Sequence, residues 1–233
     1  MRQRAFEFSV AAEPTLDLFI PGRNAELLAA LRALEHPGGE RCIYLWGPPG
    51  SGRSHLLTAA LAHLARGGHR TARAHADDVA GRVEALRECD AVAVDDVERL
   101  DEAGQAAVFT LYNELRNRGA AFLAAGNAPP MRLPLRADLV TRLGWGLVYE
   151  VQPVTDEDAA EALSHHAAGR GFALAPEVRD YLLARVRRDM PTLIAILDAL
   201  DRYSLEQKRP ITIPLVRDLL AACNETSGPD THP

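Results

Sequence analysis

Residues 47–54 read Gly47-Pro48-Pro49-Gly50-Ser51-Gly52-Arg53-Ser54, and this glycine-rich stretch decides the fold of the chain. A short apolar run, residues 42–46, precedes it, and leucines and alanines recur at helical spacing over residues 57–64. The order is therefore strand, glycine loop, helix. Such a loop turns backbone N–H groups inward and the helix N-terminus adds its positive dipole, so the pattern predicts phosphate binding.

The loop departs from the usual phosphate-binding sequence, G-x-x-x-x-G-K-[ST], at one position. Arg53 stands where that sequence has lysine, and Ser54 keeps the hydroxyl that holds Mg²⁺. A guanidinium preserves the charge of lysine but not its compact shape. We therefore expect nucleotide binding with slow hydrolysis; the alternative is a plain glycine turn between a strand and a helix.

A second motif follows the run Ala91-Val92-Ala93-Val94, which is typical of a strand buried on both faces of a parallel sheet. Asp95 and Asp96 end this run, where parallel sheets place their ligands. We expect Asp95 to hold Mg²⁺ through water and Asp96 to stand where a water-activating acid belongs. Asn127, at the tip of the next predicted strand, either orders the attacking water or is a plain turn residue.

The composition limits the classes of function. The chain has 233 residues, 47% of them hydrophobic, with a net charge of −6 and a pI near 5.8. This acidic balance disfavours broad binding to DNA phosphates, so we expect no direct sequence-specific DNA binding. The cysteines show no paired spacing and no apolar run reaches membrane length, so we expect a cytoplasmic protein without a membrane partner.

Strand patterns alternate with helical ones up to Gln152, and helical patterns dominate after it. This order predicts an α/β fold with a parallel five-stranded sheet, followed by a small helical lid domain. We expect the nucleotide-binding domain over residues 14–152 and the lid over 153–223, between an N-terminal tail (1–13) and a disordered C-terminal tail (224–233).

Together these motifs resemble the AAA+ ATPases, a class of P-loop proteins, and in particular the DnaA branch. Residues 15–22 are similar to that branch's adenine-side box, which implies that Phe19 and Ile20 contact the nucleotide. Residues 142–147 resemble its arginine-finger box. The likeness covers roughly residues 15–222 and implies binding of ADP or ATP with Mg²⁺.

The chain resembles short regulatory homologues within this branch, because only about ten residues follow the lid and leave no room for a DNA-reading domain. The triplet Arg53-Ser54-His55 carries the same resemblance and adds His55 to the nucleotide-binding residues. It implies an ADP-bound protein that docks on the DNA polymerase III sliding clamp (β subunit) and promotes ATP hydrolysis by DnaA. Gln3, Phe6 and Phe8 match the spacing of clamp-binding peptides, although Arg4 replaces a leucine.

The resemblance implies that Arg142 acts in trans on ATP bound by DnaA, whereas by position alone it is also compatible with a surface arginine bound to a carboxylate. A head-to-tail contact between two copies would cover Arg142, which is compatible with a resting homodimer. Pro191 stands where the family has a sensor arginine. Whether Arg187 or Arg188, just before it, reaches the phosphates instead is left open by the sequence, and so is closure of the lid on the nucleotide.

Two other classes remain open. One is an ATP-driven helicase loader or transposition-helper ATPase of the DnaC or IstB kind, which would turn over ATP briskly and assemble in rings. The other is a P-loop kinase for a small metabolite. Arg53 and the acidic balance count against the first, and the long helical lid counts against the second.

Overall fold

A computed structural model describes residues 15–19, 21–36, 38–185 and 190–225. The chain divides into an α/β unit that ends at Val154 and a helical unit that begins at Thr155. The predicted clamp-binding residues Gln3, Phe6 and Phe8 lie outside the described residues, as do Ile20, Arg187 and Arg188.

The α/β unit contains a five-stranded sheet in the order β2-β3-β4-β1-β5, in which every pairing is parallel. The elements, in chain order, are α1 (Ala25–Ala33), β1 (Cys42–Trp46), α2 (Arg53–Arg66), β2 (Thr71–His75), α3 (Val79–Leu86), β3 (Ala91–Asp95), α4 (Glu102–Asn117), β4 (Ala121–Gly126), α5 (Ala137–Leu143) and β5 (Leu147–Glu150).

Helices cover both faces of this sheet. One hydrophobic core lies between the sheet and helices α1 and α2, and a second lies between the sheet and helices α3, α4 and α5. Strands β3 and β4 are buried throughout because they occupy the middle of the sheet. The continuous apolar run of β3 therefore predicted its buried position correctly.

The helical unit comprises α6 (Asp156–Gly169), α7 (Pro176–Arg185), α8 (Met190–Gln207) and α9 (Ile213–Glu225). Its first helix begins with a capping box, in which the Thr155 hydroxyl accepts from the Asp158 N–H and the Asp158 carboxylate accepts from the Thr155 N–H. None of the described helices combines the length and apolar character that a membrane span requires.

Three local expectations need correction. Thr15 to Asn24 reads as an extended segment, but its described residues include short 3-10 turns at Leu16–Leu18 and Gly22–Asn24. Asn24 does not cap α1 with its side chain, because its carboxamide instead exchanges two 2.9 Å hydrogen bonds with the backbone of Gln152. The adjacent histidines His165 and His166 are too close in sequence to share a metal and are predicted to be exposed, but the His166 ring lies 2.9 Å from the Asp198 carboxylate and links α6 to α8.

Candidate nucleotide-binding site

The glycines of residues 47–54 are each required by the shape of the loop. A side chain at Gly47 would lie 2.7 Å from the Val151 carbonyl oxygen, so the loop packs against the end of β5. Gly50 and Gly52 adopt φ angles of +80° and +99°, in the left-handed region that glycine tolerates. The chain can therefore turn sharply from β1 into the first turn of α2.

Two buried polar groups in this loop have no hydrogen-bond partner among the described residues. They are Nη1 of Arg53 and Oγ of Ser51. Buried donors without partners are costly, so most buried polar groups bond to protein, to ordered water or to a ligand. A phosphate group between the loop and the positive end of α2 would satisfy both, so the residues present fit a nucleotide phosphate.

Phe19 lies against the same loop. Its ring is buried, and a side chain at Gly52 would lie 3.1 Å from the ring edge. The rings of Phe19 and His55 are 6.2 Å apart between centres. The structure therefore brings Phe19 and His55 together beside the phosphate loop, and their contact with a nucleotide stays a prediction.

Asp95 is the last residue of β3. Its carboxylate is fully buried and accepts hydrogen bonds from two neighbouring groups. Nη2 of Arg73 donates to Oδ2 of Asp95 at 2.5 Å, and the backbone N–H of Asp96 donates to Oδ1 at 3.0 Å. Asp96 itself adopts a φ of +54°, uncommon for a residue other than glycine, with its side chain half-buried. Sequence reasoning missed Arg73; the only available signal was an arginine in the middle of a predicted strand.

The end of β4 adds polar groups to this edge of the sheet. Asn127 is exposed there, and its backbone N–H donates to Oε2 of Glu98 at 3.3 Å. Beneath it, Tyr44 donates from its hydroxyl to the Ala128 carbonyl oxygen at 2.7 Å. Burial and the charge of Glu98 raise the pKa of Tyr44, and Arg53 opposes them. Because β3, β4 and β1 are parallel neighbours, Asp95, Asn127 and the loop share one edge.

Of the two residues predicted to hold Mg²⁺, only one is arranged to do so in this structure. Ser54 lies exposed in the first turn of α2 and can offer its hydroxyl. The carboxylate of Asp95, however, is occupied by Arg73. The predicted metal positions, Ser54 and Asp95, stay a prediction.

Arg142 does not join this site. It lies in the last turn of α5, with its guanidinium carbon 3.9 Å from the centre of a Trp145 ring. Gly146, which follows, packs so closely on the start of β1 that a side chain there would lie 2.0 Å from the Cys42 carbonyl oxygen. The phosphate loop follows the other end of β1, after Trp46, roughly 13 Å along the strand.

The fold has close counterparts among solved structures. The replication initiator DnaA bound to AMPPCP and single-stranded DNA is 26% identical, with a TM-score of 0.64, over 83% of this chain and 68% of that one. A DNA replication initiation factor is also 26% identical, with a TM-score of 0.63, over 84% and 67%. Domain III of DnaA from Thermotoga maritima, 21% identical, shares the fold at a TM-score of 0.63 over 92% and 97%.

The fold and the site together define a DnaA-like AAA+ protein: a P-loop core with a parallel five-stranded sheet, followed by a helical lid. This confirms the predicted fold class. The model of the "Hda, lid domain" family matches residues 156–220. The matched residues span helices α6 to α8 and most of α9, so the helical unit is similar to the lid domain of Hda. Both matches relate this chain to the DnaA branch of AAA+ proteins.

Proposed function

We propose that this protein is a negative regulator of DNA replication initiation. In this proposal it holds ADP, docks on the DNA polymerase III sliding clamp and stimulates hydrolysis of ATP bound by DnaA. The active enzyme is then DnaA, and this chain contributes Arg142 in trans. The likeness to DnaA and the Hda lid domain support the choice of partner.

The position of Arg142 carries the proposal. The residue lies near the start of β1, whereas the chain's own phosphate loop follows the end of that strand. A guanidinium at this position is too far from the phosphate loop of the same chain to contact a nucleotide bound there. It can instead contact a nucleotide bound by a neighbouring molecule. An arginine placed on the γ-phosphate oxygens stabilises the charge of the transition state and is worth about 10³ to 10⁵ in rate.

Weak turnover of the chain's own nucleotide fits the same proposal. Arg53 replaces the compact lysine of the phosphate loop. Asp96 and Asn127 lie at the same edge of the sheet as the phosphate loop. We assign them to the slow hydrolysis of the ATP that this chain itself binds. The bound nucleotide then serves to order the loop and the adenine-side residue Phe19.

Docking on the clamp is proposed from the sequence of the N-terminus alone, where Gln3, Phe6 and Phe8 have the spacing of a clamp-binding peptide. The net charge of −6 favours a protein that reaches DNA through the clamp over one that grips the phosphate backbone itself. A resting homodimer that covers Arg142 is part of the same proposal.

The test is conversion of DnaA-bound ATP to ADP in the presence of DNA-loaded clamp and this protein. We expect conversion to require both additions and to be lost in Arg142→Ala, while that variant still binds ADP and clamp. Arg136→Ala is the matched control, because Arg136 is exposed at the start of the same helix and pairs with Asp138 at 2.8 Å.

Deletion of residues 1–8 should remove the dependence on the clamp and most of the conversion. Conversion that is unchanged in Arg142→Ala would remove the finger role. No conversion, together with rapid ATP turnover by the protein alone, would favour the helicase-loader class.

A further inference from the structure

Arg73 connects three parts of the candidate site from the middle of β2. One of its terminal nitrogens, Nη2, donates to Oδ2 of Asp95 at 2.5 Å. The Asp95 side chain is 2% exposed and the Arg73 side chain 29% exposed, so the ion pair is largely shielded from water. A buried carboxylate needs such a partner, because an unpaired charge in the interior is strongly destabilising.

The other terminal nitrogen of Arg73 reaches the helix of the phosphate loop. Nη1 donates to Oγ1 of Thr58 at 2.8 Å, and Oγ1 of Thr58 donates to the carbonyl oxygen of Ser54 at 2.9 Å. The guanidinium is therefore fixed at both ends, between the buried acid on β3 and the turn that carries Ser54. This geometry uses the planar fork that distinguishes arginine from lysine.

The same carboxylate is the group that a Mg²⁺ ion would use. Mg²⁺ at a nucleotide site keeps several waters and is held by one or two carboxylates together with the phosphates. At Asp95 a guanidinium already supplies the positive charge and the hydrogen bonds. Entry of a divalent cation would have to displace Arg73 and would leave two like charges side by side.

We propose that Arg73 takes over the role of Mg²⁺ at Asp95, so that this protein binds ADP with little dependence on Mg²⁺. Arg73 is thus a positioning residue that determines which form of the nucleotide is bound: metal-free ADP is accepted about as well as Mg-ADP. The inference rests on the proposed nucleotide binding by residues 47–54 and adds a specificity for the metal-free ligand.

The test is the affinity of the full chain for a fluorescent ADP analogue, measured in buffer with Mg²⁺ and in buffer with EDTA. We expect the two dissociation constants to agree within about threefold. A larger loss of affinity in EDTA would overturn the inference while leaving nucleotide binding intact. No binding in either buffer would instead overturn the proposed function, and this inference with it.

A substitution gives the second arm of the test. Arg73→Met frees the Asp95 carboxylate, so the ratio of the two dissociation constants should rise about tenfold or more. Arg118→Met is the matched control, since Arg118 is exposed and donates to the Cys89 carbonyl oxygen away from the loop. An unchanged ratio in folded Arg73→Met would overturn the inference. The comparison on the unsubstituted protein needs no variant, so it decides the question even if Arg73→Met does not fold.

Discussion

The guanidinium carbon of Arg142 lies 3.9 Å from the centre of a ring of Trp145, a residue that is 54% exposed. Phe109 flanks the same guanidinium at 5.5 Å. Among the described residues Arg142 makes no ion pair, so the alternative of a surface arginine bound to a carboxylate gains no support there. The aromatic rings hold the guanidinium by cation–π contact, and in the proposed function they present it to a phosphate on another molecule.

Trp145→Ala should therefore weaken activation of DnaA without abolishing it. A cation–π contact at an exposed site is worth about 0.5–1 kcal/mol, which corresponds to a two- to fivefold loss of stimulated hydrolysis. Trp145→Phe should keep most of the stimulation, because an aromatic face remains. A loss as large as that of Arg142→Ala would mean that Trp145 does more than orient the arginine.

Arg53→Ala should weaken ADP binding. Removing the charged donor costs about 1.5–3 kcal/mol, or roughly tenfold to 150-fold in affinity. Calorimetric titration with ADP measures this directly. Arg66→Ala, exposed in the last turn of the same helix, is the control. Equal affinities for Arg53→Ala and the unsubstituted protein would remove Arg53 from the phosphate site.

Gly126→Ala should destabilise the α/β unit. A methyl group there would lie 2.2 Å from the Tyr44 hydroxyl, which is itself fixed by its bond to the Ala128 carbonyl oxygen. Overpacking of this kind costs about 1–3 kcal/mol, measured as the free energy of unfolding in urea. Gly81→Ala in α3 should instead be neutral or stabilising, since a methyl group there meets no atom within 4 Å. Equal effects of the two substitutions would contradict the packing argument.

Stability should fall at alkaline pH. Burial raises the pKa of Tyr112 to about 12 and also raises the pKa values of Tyr44 and Tyr149. A tyrosine in the unfolded chain titrates near pH 10, so above that pH the unfolded state releases protons that the folded state retains. The stability present below about pH 10 is therefore lost progressively as the pH rises toward 12.

Urea unfolding at pH 8 and pH 11 measures this loss, and Tyr112→Phe should reduce it. Phenylalanine cannot titrate, although it also gives up the hydrogen bond from Arg116 to the Tyr112 hydroxyl. The comparison is therefore made between the two pH values within each variant. An equal loss in both proteins would exclude Tyr112 as a source.

The sequence predicted the sheet well because local signals determine most of it. Buried apolar runs marked β1, β3 and β4, and the sequence of residues 137–143 predicts a short helix with the same bounds as α5. Capping chemistry likewise marked the start of α6 at Thr155. Each of these signals lies within a few neighbouring residues, where helical or strand periodicity and caps act.

Local sequence signals could not predict the polar pairs that connect distant parts of the fold and of the site. Asn24 bonds to Gln152, 128 residues away, and Arg73 bonds to Asp95, 22 residues away. Asn24 has the character of an N-cap and Arg73 that of a surface residue until the sheet places their partners beside them. The motif residues of the phosphate loop could be predicted, but the arginine that occupies Asp95 could not.

The contact between Gly146 and Cys42 has a thermodynamic consequence. It joins the segment that follows α5, the helix that carries Arg142, to the same five-residue strand that ends at the phosphate loop. Linkage between two binding sites is reciprocal. In the proposed function, a nucleotide in the phosphate loop that changes the affinity of the surface around Arg142 for DnaA has its own affinity changed by the same factor when DnaA binds. The exchange of nucleotide on this protein would then report the occupancy of its partner.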